Sequence, residues 1–380
     1  MDCDARLTEE GPREGERNIH LALAGPPLQP ESMPRPLPDV LPISWPAGTA
    51  APPAQTVAAV ERAVRILDGG GLVAIPTETV YGLAAVATDA DAVGRIFTAK
   101  GRPAMNPLIV HVADEAMARS LAADWPVSAS RLTAAFWPGP LTVVVPRGPR
   151  IPDIVTAGGD TVALRCPGHP LTRLLLETLH APLAAPSANR SLSLSPTTAT
   201  HVLDSLGNRV DLILDAGPCA HGIESTVVDC TVDPPLILRP GPLAAATLAG
   251  ALGAPIAAGA VQPDTRPARA PGQLARHYAP RTPLELSEDA PNRVAALLAA
   301  GRRVGWLTTM AGGLQARRLA AARDVVIVPM PDEPVAYAAM LYAALHALDK
   351  RDLAAIVVDT PPDTDAWQAI RDRLMRASTT

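Results

Sequence analysis

The sequence predicts an α/β protein of two unequal parts, and three observations carry that expectation. Short apolar runs recur at 72–75, 108–112, 141–145, 162–164, 211–214, 225–228 and 236–238, with helical stretches at 89–100, 114–122, 127–136, 170–179 and 197–206. Some neighbouring runs lie too close for a helical crossover, so the first part should hold a twisted mixed sheet with helices. Past Ala279-Pro280 the alternation turns regular: helix 290–299, strand 303–308, helix 313–322, strand 324–328, helix 334–348, strand 354–358, helix 364–376. That spacing predicts a smaller, Rossmann-like parallel α/β domain. It has no GxGxxG, so no dinucleotide site is assigned to it.

Bulk properties agree with this division. At 380 residues the chain is too long for one ordinary core, and 48% hydrophobic against 19% charged residues describes a globular protein. Aromatics are only 3% and prolines number 42, so Ala, Val and Leu must fill the cores between stiff loops. The net charge of -5 argues against a nucleic-acid-coating surface but leaves room for a local basic cleft. Cys3, Cys166, Cys219 and Cys230 lie far apart with no metal-ligand spacing and read as reduced thiols. The polar, acidic start lacks a secretory signal, and the expected location is the cytoplasm, with no membrane partner.

Taken in order, residues 1–55 are Pro-rich without a sustained period and should form a largely disordered extension. Thr56 reads as the N-cap of a helix with Val57, Val60, Val64 and Leu67 along one face, stopped by Gly69-Gly70-Gly71. Residues 56–245 make the first domain, 246–279 an Ala-, Gly- and Pro-rich linker, and 280–380 the second domain. The apolar run Leu243–Val261 is built of Ala and Gly around Pro255 and reads as a domain-edge helix and linker, not a membrane span.

Chemistry concentrates between Pro76 and Val112. Thr77, Glu78 and Thr79 follow an apolar run and a rigid Pro. A helix with Asp89 or Asp91 at its N-cap and Gly101 at its C-cap comes next, and Lys100 and Arg102 flank that glycine. His111 stands near the end of the following extended run. Such a set could gather around an anion, although a cation pair at a helix end is also what the helix dipole favours. Arg165 closes a short apolar strand, where a buried guanidinium requires a carboxylate or phosphate. Ser195 precedes Pro196 and reads as a cap for a helix from Thr197.

The ordered blocks PTETVYGL, KGRPxxNPLIVHV, FWPGPLTVVVP, VALRCPGHP, APSANRS, SPTTA, HGIESTVVD and LRPGPL resemble the Sua5/YrdC family. RHYAP (Arg276 to Pro280) and a closing DRL helix (Asp372, Arg373, Leu374) resemble its two-domain Sua5 branch, so the resemblance covers roughly residues 57–378. It implies a YrdC-like catalytic domain and an activity: L-threonine, bicarbonate or CO2, and ATP condense to L-threonylcarbamoyladenylate and pyrophosphate. It also implies Mg2+ arriving with ATP, and transfer of the product by a tRNA threonylcarbamoyltransferase complex to adenosine 37 of tRNAs reading ANN codons. Direct tRNA contact is a subordinate expectation.

Carried over residue by residue, the resemblance gives Lys100 and Arg102 the catalytic role. It gives ATP to Arg102, Asn106, Thr161, Ser187, Asn189, Ser195, Arg239 and His277, and L-threonine to Thr79, His111, Arg165, Ala185 and Ser225. The linker is expected to act as a lid bearing His277 and Tyr278. No metal ligand is assigned. One departure stands out: Leu192 occupies a position where the family often has Gly, and the sequence predicts that the loop cannot readily take φ > 0 there. Two other readings are weaker: a carbamoyltransferase, whose acylphosphatase-like and zinc-finger segments this chain lacks, and a non-enzymatic RNA-binding module, disfavoured by charge and by scarce aromatics.

Overall fold

A computed structural model describes residues 36–45, 51–259, 278–310 and 313–378, and among them two sheets are formed. Across the larger, the strands run Asp39–Pro42, Leu212–Asp215, Val73–Ile75, Gly82–Val86, Leu183–Ala184, Ile109–His111, Thr161–Arg165, Leu141–Pro146, Thr226–Asp229, Leu236–Arg239 and Ala257–Ala258. Parallel and antiparallel pairs are interspersed, so the sheet is mixed as expected. The smaller sheet, ordered Leu284–Ser287, Ala355–Asp359, Val304–Thr308, Val325–Pro329, is wholly parallel.

Three local expectations need correction. Asp39–Pro42 falls in the stretch read as disordered, yet it pairs with Leu212–Asp215 as an edge strand. An edge position tolerates its proline. The first helix is Ala54–Asp68 with Pro53 at its N-cap, so Thr56 lies inside it, buried, with its hydroxyl 3.5 Å from the Ser44 carbonyl. Thr198, not Ser195, caps the helix Ala199–Leu206, accepting from the His201 amide. By contrast, Asp89 accepts from the Asp91 and Ala92 amides, and Gly101 takes the left-handed C-cap conformation at φ 59, both as the sequence indicates. The linker expected at 246–279 begins as the helix Ala245–Leu252 and the short strand Ala257–Ala258, and its residues 260–277 lie outside the described residues.

The two faces of the large sheet are covered differently, and this places the site. Val110, Val143, Val145, Val162, Leu164 and Val228 point to one face and join the main core. Their alternate neighbours point the other way. On that second face the helices Ala54–Asp68 and Pro170–Leu179 pack over Val73, Ile75, Ala84, Leu183 and Leu212. Further along, only a small cluster of Ile109, Val144, Ala163, Val227 and Leu238 remains, outside the core those helices form. His111 and Arg165, two residues beyond Ile109 and Ala163 and paired in register, stand on this same face.

Residues from Leu37 onward form one compact unit. Val80, Leu194, Ile223 and Tyr278 bury themselves with Leu341, Tyr342 and Leu374 of the second domain. Polar contacts frame that seam: His346 stacks on His201 at 3.9 Å between ring centroids, and Lys350 pairs with Asp204 at 2.5 Å. Gly222 sets how closely the parts approach. Its φ is 68°, and a Cβ there would sit 2.5 Å from the Ala338 carbonyl oxygen on the helix Pro334–Asp349. Gly222→Ala therefore combines left-handed strain with an overpacked seam and should lower stability by about 2–5 kcal/mol. A thermal melt checks it, and an unchanged midpoint would mean that the seam relaxes without cost.

Candidate active site

The part of the second sheet face that lies outside the core of those two helices forms a cleft into which three guanidinium groups converge. Arg102, Arg165 and Arg239 all line it, with His111, Ser187 and Ser225 between them. Each arginine comes from a different kind of position: Arg102 just past a helix C-cap, Arg165 and Arg239 at the last residues of two strands. Because Leu141–Pro146 runs parallel to Thr226–Asp229 and antiparallel to Thr161–Arg165, Arg165, Thr142 and Ser225 share one end of the sheet.

Arg165 is held from three sides. Its Nη1 donates to Thr79 Oγ1 at 2.8 Å, its Nε donates to the Gly139 carbonyl at 3.2 Å, and its Nη2 lies 2.6 Å from Glu78 Oε1. The anion that a buried arginine requires is thus Glu78, inside the PTET run itself. Burial would raise the Glu78 carboxyl, but the Arg165 charge together with hydrogen bonds from the Gly168 backbone and Arg165 outweighs it and holds the group below the usual carboxylate range. Thr79 is joined in turn to Thr77, whose hydroxyl lies 2.8 Å away and donates to the Val80 carbonyl. His111 is pushed down to about 3 by burial and then by Arg165, so its ring is neutral at physiological pH, and its buried Nδ1 makes no hydrogen bond. A neutral, unpaired imidazole nitrogen beside a guanidinium is prepared for a polar ligand.

Lys100 does not line the cleft. Its ammonium donates to the Ser187 and Asn189 carbonyls, each at 2.5 Å, and so holds the loop that forms the cleft wall from behind. Burial and then the Arg102 charge push its pKa well below the ordinary lysine value. The expected catalytic pair is therefore split: Arg102 faces the cleft and Lys100 supports a loop. Asn189 also works inward, donating from Nδ2 to the Arg190 and Ser193 carbonyls. Leu192 overturns the expectation made for it, since it does adopt φ 69°. Its carbonyl accepts from the Ala279 amide at 3.0 Å, which ties the loop to the end of the linker.

Arg102 donates from Nε to the Asn106 carbonyl and from Nη2 to the Pro107 carbonyl. Burial lowers it to about 10, still cationic at neutral pH. Arg239 donates from Nε and Nη2 to the Ser225 carbonyl, and Nη2 reaches Ser225 Oγ at 3.1 Å. Beside them lies a residue that the sequence reading passed over. Glu224 lines the cleft and accepts from Ser195 Oγ at 2.6 Å, from the Tyr342 hydroxyl and from Arg373 Nε at 2.7 Å. Burial would raise this carboxyl, but Arg373 and then Arg239 keep it low.

Of the residues named from the sequence, Arg102, His111, Arg165, Ala185, Ser187, Ser225 and Arg239 thus line one cleft. Thr79, Lys100, Asn106, Asn189 and Ser195 are buried just behind that lining. Asn106 keeps an unpaired Nδ2 there. Thr161 is not gathered with them. It begins the strand that Arg165 ends, on the same face but ~13 Å away at the usual rise per residue. His277 lies outside the described residues.

Comparison with known proteins identifies the family. Residues 65–241 match the Sua5/YciO/YrdC family model, described as "Telomere recombination", and residues 243–379 match the model "Threonylcarbamoyl-AMP synthase, C-terminal domain". A Bacillus subtilis relative named threonylcarbamoyl-AMP synthase is 40% identical over 324 residues, 84% of this chain and 92% of that protein. The chain belongs to the Sua5/YrdC family. The crystal structure of Pyrococcus abyssi Sua5 complexed with L-threonine superposes with a TM-score of 0.79 at 35% identity, covering 90% of this chain and 97% of that one. A shorter family member, the Halorhodospira halophila threonylcarbamoyl-AMP synthase, is 35% identical over 163 residues, 43% of this chain and 85% of itself.

Two substitutions probe the site's construction. Glu78→Gln removes one partner of a buried pair and should cost about 3–5 kcal/mol at pH 7. The depressed Glu78 pKa stabilises the fold above the ordinary carboxylate value of 4.5 and ceases to do so as pH falls through the folded value. Denaturant melts should therefore show the gap between Glu78→Gln and the unmodified protein narrowing below pH 4.5. Leu192→Gly removes a left-handed side chain that is 42% exposed, and should stabilise the protein by about 0.5–1 kcal/mol after the entropy cost of glycine. Calorimetry reads the sign.

Proposed function

We propose that this protein is a threonylcarbamoyl-AMP synthase, acting as a nucleotidyltransferase on ATP, L-threonine and bicarbonate or CO2. The observation that carries the reading is the convergence of Arg102, Arg165 and Arg239 on one buried cleft of the Sua5/YrdC fold. Three fixed cations suit a reaction whose reactants are a carboxylate and a triphosphate.

In this reading the L-threonine carboxylate lies against Arg165, with Thr79, His111, Ser225 and the Ala185 main chain completing its pocket. The ATP phosphates lie against Arg102 and Arg239, with Ser187 at the loop wall and Asn106, Asn189 and Ser195 supporting them. Lys100 serves catalysis by fixing the loop carbonyls. A nucleotide contact at Thr161 requires ATP to extend along the sheet face. Mg2+ enters as the ATP complex, because it dehydrates reluctantly and is bound chiefly through substrate phosphates.

The chemistry needs few proton-transfer groups. The threonine amine adds to CO2 and loses a proton, giving a carbamate. A carbamate oxygen then attacks the α-phosphorus, and the bond to the β-phosphate oxygen breaks, releasing pyrophosphate. Positioning and charge offset carry such a step. The neutral His111 ring can donate or accept a hydrogen bond to the amino acid without taking on charge. A tRNA threonylcarbamoyltransferase complex would consume the product.

Pyrophosphate release from ATP, with L-threonine and bicarbonate each supplied or withheld, tests the proposal. Release should require both, and Arg102→Ala should reduce it by about 100-fold or more. Release driven by carbamoyl phosphate without threonine would overturn the reading.

A further inference from the structure

The second domain sends one charged side chain into the wall of the cleft. Arg373, on the helix Gln368–Ser378, is 1% exposed. It donates from Nε to Glu224 Oε2 at 2.7 Å and from Nη2 to the Pro240 carbonyl at 3.0 Å. Its guanidinium carbon lies 5.2 Å from the centre of the Tyr278 ring, and Asp372 occupies its Nη1. Glu224 and Tyr278 both line the cleft, and Pro240 directly follows Arg239.

A role in stability alone accounts poorly for this arrangement, because a buried ion pair can be replaced by apolar packing at little loss. Its placement is more telling. A lone carboxylate at Glu224 would repel a triphosphate beside Arg239. Paired with Arg373 it is neutralised, and it is oriented by the Ser195 and Tyr342 hydroxyl groups. The Pro240 contact matters for a second reason. A Cβ on Gly241 would come within 2.3 Å of the Thr226 amide nitrogen, so the backbone after Arg239 is pressed against the Ser225–Thr226 segment that Arg239 grips.

We infer that Arg373 is a positioning residue for the nucleotide half of the cleft: it neutralises Glu224 and fixes the Pro240 carbonyl, so that Arg239 and Ser225 keep their places beside ATP. The inference rests on the function proposed above. L-Threonine, held around Arg165 and His111, should not sense this contact.

The test is calorimetric binding of a non-hydrolysable ATP analogue with Mg2+, and separately of L-threonine, to the full chain and its variants, each with a thermal melt. Arg373→Met should weaken analogue binding at least tenfold while L-threonine binding stays within twofold. Arg373→Lys, which keeps the charge but loses the fork, should fall between. Adding Glu224→Gln to Arg373→Met should recover part of the loss, because no unpaired carboxylate remains. Lys350→Ala breaks the Lys350–Asp204 pair across the same seam and should lower the melt without changing either affinity. Unchanged analogue binding in folded Arg373→Met, or equal loss of both ligands, overturns the inference. If Arg373→Met does not fold, Arg373→Lys decides: at least threefold weaker analogue binding with L-threonine unchanged supports the role, and unmodified affinity for both overturns it. An unmodified chain that makes pyrophosphate but whose Arg373 variants bind normally sinks only this inference, whereas one that binds no analogue sinks the proposed function as well.

Discussion

The constraint on which this structure depends is the burial of cations. Arg102, Arg165 and Arg239 are 8%, 3% and 3% exposed, and they share one cleft. A guanidinium withdrawn from water is costly unless its donors are met, and three of them repel one another. Most of the unusual local structure answers that cost. The Asn106 and Pro107 carbonyls meet Arg102, the Ser225 carbonyl meets Arg239, and Gly139, Thr79 and Glu78 meet Arg165. Pro-rich turns supply several of these carbonyls, and a Pro-fixed backbone holds an acceptor in place without help from a helix or ladder.

Rigidity around the cleft is distributed unevenly. One wall is a sheet whose far side is packed into the main core; the other is the loop 185–193, held by backbone bonds to Ile109, Tyr81, Leu83 and Lys100 and by the Lys100 and Asn189 side chains. Lys100 and Asn189 give that loop its internal bonds, and Leu192 holds its turn in a conformation that its side chain resists. The Ala279 amide meets the Leu192 carbonyl from the end of the linker, so linker and loop are joined by a backbone bond that does not depend on which side chain stands at 192. A left-handed leucine is affordable where the backbone is anchored on both sides and the side chain stays in solvent.

How much of this could be read from the sequence depended on distance along the chain. The Asp89 and Gly101 caps were legible because a cap is a local affair of a few residues. The mixed sheet was legible because run spacing excludes helical crossovers. The edge strand Asp39–Pro42 was not, being four residues long and set among prolines that read as extension. Ser195 looked like a cap beside a helix, but its hydroxyl goes to Glu224, 29 positions away. Seven cleft residues came from short blocks whose order resembles a family, a signal that periodicity does not contain. Glu224 and Arg373 are 149 positions apart, and a single sequence carries nothing that pairs them. Glu78 shows the same limit at closer range: it was visible between two hydroxyls, yet its partner Arg165 arrives from a strand that neighbours it only after folding.

The division of labour between the domains follows from the same charges. All three cleft arginines reside in the first domain. What the second domain adds is a counter-charge and a wall. It covers Val80, Leu194 and Ile223, which would otherwise be apolar side chains at the rim, and it brings the Tyr342 hydroxyl and Arg373 to a carboxylate that the first domain leaves in need of partners. In a chain of this architecture the docking of the two domains and the electrostatics of the cleft are one problem, solved at Glu224.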